Sequence, residues 1–299
     1  MTAYVRKAER SVSLSRKPAS DYWIDAALLA PGCGFLFLAM AVPISQLVLA
    51  SIGLFGLGSA TQFTLGNYLE VFQDVLMRSG FFFSLRIAFV TMVSSVIAAT
   101  ILTALLQIDF PGRQLVSVLY KIPLVVPSLV AAFLVLTMIG PGGMAARLLE
   151  PLNVRWPSFV HDPSGLGIII VLLWHNIPIT VLIVSAVAAA IPRDVVDAAR
   201  NLGASPWQVF WYVIAPLCIP GISAAALLVF IDSFGTFAIP SLIGPAFPRA
   251  ISVMMTTEFL LHANWGVASA LGVVMIVTTA IVLVLYYRLL TRMREQAPQ

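Results

Sequence analysis

Apolar residues run through this chain in long blocks, with the polar positions gathered between the blocks rather than alternating with them. Six stretches long enough to matter contain no Asp, Glu, Lys or Arg: Ala26 to Leu69, Ile87 to Ile108, Ile122 to Ala146, Pro163 to Pro192, Asn201 to Ile231 and Phe259 to Tyr287. A helix needs about 20 mostly apolar residues to cross the hydrocarbon layer. Backbone amides at that depth can pair only within their own segment, so a span must be helical. The pattern predicts an all-α, polytopic membrane protein with six transmembrane helices. In the first block the apolar core is Ala26 to Leu49, and the Gly, Ser, Thr and Gln cluster from Ser51 to Thr64 reads as an exit loop. That core outruns the about 7 to 15 apolar residues of a signal peptide, so it is expected to be an uncleaved first helix. In the fifth block, Asn201 to Val213 belongs to an amphipathic segment rather than to the span.

Composition agrees. The 299 residues are 60% hydrophobic and 10% charged, against about 25% charged in soluble globular proteins, so most of the surface must face lipid. The same figures oppose disorder. Cys33 and Cys218 stand alone in apolar runs, which indicates neither a disulfide framework nor a metal finger. The net charge of +4 gives no reason to expect a nucleic-acid partner.

Where the cations lie says more than how many there are. One set of segments holds Arg6, Lys7, Arg10, Arg16 and Lys17, then Arg113 and Lys121, Arg193 and Arg200, and Arg288, Arg292 and Arg294. The alternate set holds Arg78, Arg86, Arg147, Arg155 and Arg249. The richer set is expected to face the cytoplasm of a bacterial inner membrane. This predicts a cytoplasmic basic tail over 1–25, a transmembrane domain over 26–290 with a cytoplasmic loop at 191–213, and a cytoplasmic tail over 291–299.

Several chemistries are missing. Lys7, Lys17 and Lys121 are the three lysines, and none follows a glycine in the P-loop pattern; Gly140-Pro141-Gly142-Gly143 ends without one. ATP, if used, is bound elsewhere. Gly221-Ile222-Ser223-Ala224 is the nearest string to an intramembrane serine protease motif, and it lacks the closing glycine. His161, His175 and His262 are too far apart for a helical zinc pair, so no metal site and no catalytic residue is expected.

The loop from Ile191 to Pro216 carries the most structure in its sequence. Pro192 can open a helix, with Asp194 and Asp197 near its positive end. Gly203 suits the left-handed residue that ends such a helix. Ser205-Pro206 then reads as the cap and first position of a second helix, on which Trp207, Phe210, Trp211 and Ile214 form a stripe. The result is a helix–turn–helix at the membrane surface, either a plain interfacial loop or a docking site for a cytoplasmic partner.

This loop resembles the EAA motif of the permease subunits of type I ABC importers, which reads E-A-A, three residues, G-A, then I-x-L-P. It stands here as Asp197-Ala198-Ala199, Gly203-Ala204 and Ile214-Ala215-Pro216, with Asp for the first Glu and Ala215 before the proline. Thr64 to Phe72, Ser84 to Ala88, and Phe230 to Pro240 are similar to segments of the spermidine/putrescine-type branch. The resemblance implies the type I permease fold, with Asp197, Ala198, Ala199, Gly203, Ala204 and Pro216 coupling to ATPase subunits. ATP and magnesium would sit on those subunits, with no cofactor on this chain. The other implied partners are a second permease, identical or homologous, and an external solute-binding protein.

Asp232 is the one acid well inside an expected span, where an ionised group costs about 2.5 to 3.5 kcal/mol and therefore faces a cavity or a partner. Thr236 would share its helix face at i+4. Trp174-His175-Asn176 interrupts the fourth span just before Pro178. Asp232, Thr236, His175 and Asn176 are thus the candidate lining of a path for a small polar, possibly amine-bearing solute, against structural hydrogen bonding between helices. An ion-driven transporter or channel is the rival reading; an intramembrane enzyme is a more distant one.

Overall fold

A computed structural model of the chain describes residues 19–56, 62–152 and 159–295. The remaining positions, including most of the N-terminal tail and the end of the C-terminal one, lie outside the described residues. No β-strand occurs among those described. Among the described residues five helices are long and apolar enough to span, or six if the bent pair Pro206–Leu217 and Ile219–Gly235 is one span.

The chain divides into two compact units, Met1–Leu49 and Ala50–Gln299. The first holds most of α1 (Ala19–Ser51), a helix that begins inside the expected tail, at Ala19 rather than Ala26. The second contains everything else described: α2 (Gly66–Gln73), α3 (Val75–Leu106), α4 (Arg113–Leu119), α5 (Ser128–Ile139), α6 (Met144–Leu149), α7 (Leu166–Ala189), α8 (Arg193–Asn201), α9 (Pro206–Leu217), α10 (Ile219–Gly235), α11 (Ala238–Ile243), α12 (Ile251–Leu260) and α13 (Trp265–Glu295).

The charge-free runs marked the interiors of spans and missed their ends. Helix α3 starts at Val75, well before Ile87, because Asp74 caps it: its Oδ1 accepts from Leu76 N at 2.6 Å and Met77 N at 3.3 Å. Arg78 then falls in the first turn of the helix, and Arg86, three turns in, donates to the Ser164 carbonyl. Asp162 receives the amide of Leu166 at the start of α7, and the Ser164 hydroxyl beside it holds its carboxyl below the usual range. The last long helix starts at Trp265, not Phe259, since residues before it fold as the separate α12.

At the centre α3, α7 and α10 pack on one another. Lipid supplies no hydrophobic drive between helices, so close backbone approach and hydrogen bonds must hold them. Accordingly α3 turns Gly80, Ser84, Ala88, Thr91, Ser95, Ala99 and Thr103 inward. Ser84 Oγ accepts the amide of Ile251 at 2.8 Å, tying α12 to α3. A Cβ on Gly80 would lie 2.6 Å from the Arg249 carbonyl. Asn67 and Tyr68 on α2 clasp Ser51 through its carbonyl (2.9 Å) and hydroxyl (2.7 Å), and Gly266 leaves room for Asn67 against α13.

Candidate functional site

Two places gather the residues singled out in the sequence: an elbow between α7 and α10, and a polar pair inside the bundle.

The elbow is built from local signals. Pro192 precedes α8, which ends in a left-handed Gly203 at φ +85°. Gly203 N donates to Arg200 O at 2.9 Å and Ala204 N to Ala199 O at 3.2 Å, the two bonds of a Schellman ending. Ser205 Oγ accepts from Gln208 N (3.3 Å) while Gln208 Oε1 accepts from Ser205 N (2.8 Å). This reciprocal capping box fixes the start of α9. Of the two partners the sequence reading had only Ser205.

The candidate coupling residues divide by direction. Val196, Ala199 and Ala204 pack against a buried cluster of Ala104, Val184, Ala188, Val209, Phe210, Ile214 and Cys218, which bolts the elbow to the ends of α3 and α7. Asp197, Ala198, Gly203 and Pro216 are exposed. Asp197 lies 3.8 Å from Arg200 on the same solvent-facing turn, a pair worth little at such exposure. A bulge corrects the aromatic stripe: Phe210–Ile214 form a π turn. The extra residue per turn sends Phe210 and Ile214 into the core and leaves Trp207 and Trp211 half exposed, edge to face at 5.6 Å.

After the π turn the chain bends by 69° between Pro206–Leu217 and Ile219–Gly235, where Pro216 and Pro220 remove two amide donors. Gly221 then meets α7 so closely that a Cβ would stand 2.6 Å from Val187 Cγ2. The elbow is therefore continuous with α10.

Inside the bundle Asn176 Nδ2 donates to Asp232 Oδ2 at 3.0 Å, linking α7 to α10 across 56 residues of sequence. Asn176 is buried, whereas Asp232 opens onto the exposed side of the chain. The continuous helix through Pro178 lets Thr180 Oγ1 bond the Asn176 carbonyl at 2.9 Å. His175 is half-buried, and its Nδ1 meets no protein partner. Thr236 is the C-cap of α10, which ends at Gly235; its φ of −62° is helical and its ψ of 133° turns the chain out of the helix after it. Its carbonyl accepts from Ser252 Oγ at 2.6 Å. Among the described residues no group of three or more His, Cys, Asp or Glu converges to hold a metal ion.

The described residues thus form an all-helical bundle of membrane-spanning length, with a half-exposed elbow joined to a bent span. The family model described as "Binding-protein-dependent transport system inner membrane component" matches residues 95–295, and the chain belongs to that family. It is similar to the spermidine/putrescine transport system permease protein PotB of Haemophilus influenzae, 28% identical over 176 residues, which cover 59% of this chain and 62% of that protein's own length. It also resembles the sulfate transport system permease protein CysT of Synechocystis sp., 24% identical over 257 residues and 84% of each chain. A bacterial ABC transporter involved in import of the acidic polysaccharide alginate has the same fold, with a TM-score of 0.78 over 91% of this chain and 96% of that one at 16% identity. The six-span, type I importer permease fold is therefore established.

Proposed function

We propose that this chain is the permease subunit of an ATP-driven importer, which it serves as conduit and lever without an ATPase site of its own. The observation that carries the reading is the elbow: a short helix exposing Asp197 and Ala198, closed by a left-handed glycine and locked to α3, α7 and α9 by its other face. Such a part transmits displacement without absorbing it. The distribution of cations favours a cytoplasmic elbow, which would be within reach of subunits that bind ATP and magnesium. A second permease, identical or homologous, would complete the path, and an external solute-binding protein would load it.

Along that path Asp232, held by Asn176, offers negative charge to an amine-bearing solute. The kinship with a polyamine permease favours such a cargo, while the kinship with a sulfate permease shows that the fold does not dictate it. Coupling is tested by Gly203→Val. No atom lies within 4 Å of a Cβ there, so the cost is the strained left-handed backbone alone, about 1–2 kcal/mol. The assembled complex should keep hydrolysing ATP while uptake per ATP falls severalfold. Unchanged uptake would refute the lever.

A further inference from the structure

Among the described residues four buried side-chain polar atoms lack any protein hydrogen-bond partner: Thr91 Oγ1, Ser95 Oγ, His175 Nδ1 and Ser233 Oγ. Thr91 and Ser95 are wholly buried, and Ser233 is 3% exposed. They sit on α3, α7 and α10, the three helices that form the centre.

Contacts already described fix their depth. Asn176 faces Asp232 and Val187 faces Gly221, so α7 and α10 run antiparallel in one constant register. Continuing it one residue beyond Asn176–Asp232 sets Ser233 level with His175. Thr103 and Ser185 meet at 3.4 Å and set the parallel register of α3 against α7. That register puts Thr91 beside Leu173 and Ser95 beside Ile177, within about one turn, 5.4 Å, of His175. All four residues thus lie at one level of the bundle, the level of the Asn176–Asp232 pair.

Their backbone neighbours make the gathering more telling. A helical hydroxyl ordinarily satisfies itself on a carbonyl a turn back. Thr180, Thr256, Thr257, Thr278 and Thr279 all do so at 2.8–2.9 Å. Thr91, Ser95 and Ser233 forgo that bond. Native interiors leave very few buried polar atoms unpaired, and the usual partner of those is ordered water.

We propose that the interior between α3, α7 and α10 is a binding site for a small cluster of ordered water molecules held by Thr91, Ser95, His175 and Ser233. Hydroxyl and imidazole both donate and accept, which suits water. A bare cation such as calcium takes about six to eight oxygen ligands, more than three hydroxyls supply, and the carboxylate at this level, Asp232, opens to the other side. The cluster hydrates Asn176 from within and gives α10 exchangeable hydrogen bonds along which to shift against α7. It is a property of one chain, independent of any solute at Asp232.

The test is pulsed hydroxyl-radical footprinting of the full-length chain in lipid nanodiscs in ¹⁸O-water. Bound water should label His175 severalfold faster than Phe81, which is likewise half-buried but packs against an apolar cluster. Labelling no faster than Phe81 overturns the proposal. Ser233→Ala and Thr91→Val should each slow His175 labelling and lower the melting temperature by about 2–4 °C, the shift for one lost buried hydrogen-bonding group. A higher melting temperature would mean that the hydroxyl was dry, and would overturn it equally. Should a variant fail to fold, labelling of the native chain still decides.

Discussion

A carboxylate in the middle of a membrane protein must be given a reason, and Asp232 has two: an amide donor at 3.0 Å on one side and an open face on the other. One charge-assisted hydrogen bond contributes about 1.5–3 kcal/mol and does not consume the acceptor capacity of both oxygens. The remaining capacity is what a cation would meet. Asp232→Asn should therefore reduce uptake of an amine-bearing solute about tenfold, the equivalent of about 1.4 kcal/mol, and leave a neutral solute of similar size unaffected. Parallel uptake assays of the two solutes decide it, and equal losses would remove the charge from the account. Asp232 was legible in the sequence as an acid out of place. Its partner was not, because no local pattern connects residues 56 positions apart.

At the scale of elements, legibility follows sequence distance. The elbow could be read residue by residue because caps are short-range devices: Gly203 ends α8, and Ser205-Pro206 starts α9 as the chemistry of those residues requires. The π turn at Phe210–Ile214 left no such trace, and it re-aimed half of an aromatic stripe that a uniform period had placed on one face. Helices α11 and α12, with 6 and 10 residues, are too short for any test based on the length of a span. The end of α10 left no comparable trace: the chain turns extended after Thr236, whose carbonyl accepts from Ser252, 16 residues on. The bend between α9 and α10 depends on Gly221 lying against Val187. Gly221→Ala should force the helices apart and cost about 1–3 kcal/mol by overpacking, read as a lower melting temperature. Val187→Ala in the same chain should recover most of the loss; no recovery would place the function of Gly221 elsewhere.

Across the whole molecule, the described parts of Ala50–Gln299 form a single chain of contacts from the elbow to the polar pair. The cluster at Phe210 and Ile214 fixes α8 to α3 and α7, the bend hands on to α10, and α10 carries Asp232 against Asn176. On the function proposed above, a push at Ala198 would be handed along these contacts to the level of Asp232. Composition and hydrophobic blocks made the bundle legible from the start, since charge at 10% leaves few alternatives to lipid. The coupling proposed for the elbow rests on its resemblance to a known motif, which composition and hydrophobic blocks do not supply. The most direct test replaces Cys33 and Cys218, introduces Ala198→Cys, and applies a short crosslinker to native membranes in which the chain is active. The account predicts an adduct whose peptides, by mass spectrometry, come from an ATP-binding subunit. Transport that persists with Ala198→Cys joined to no nucleotide-hydrolysing protein would contradict it.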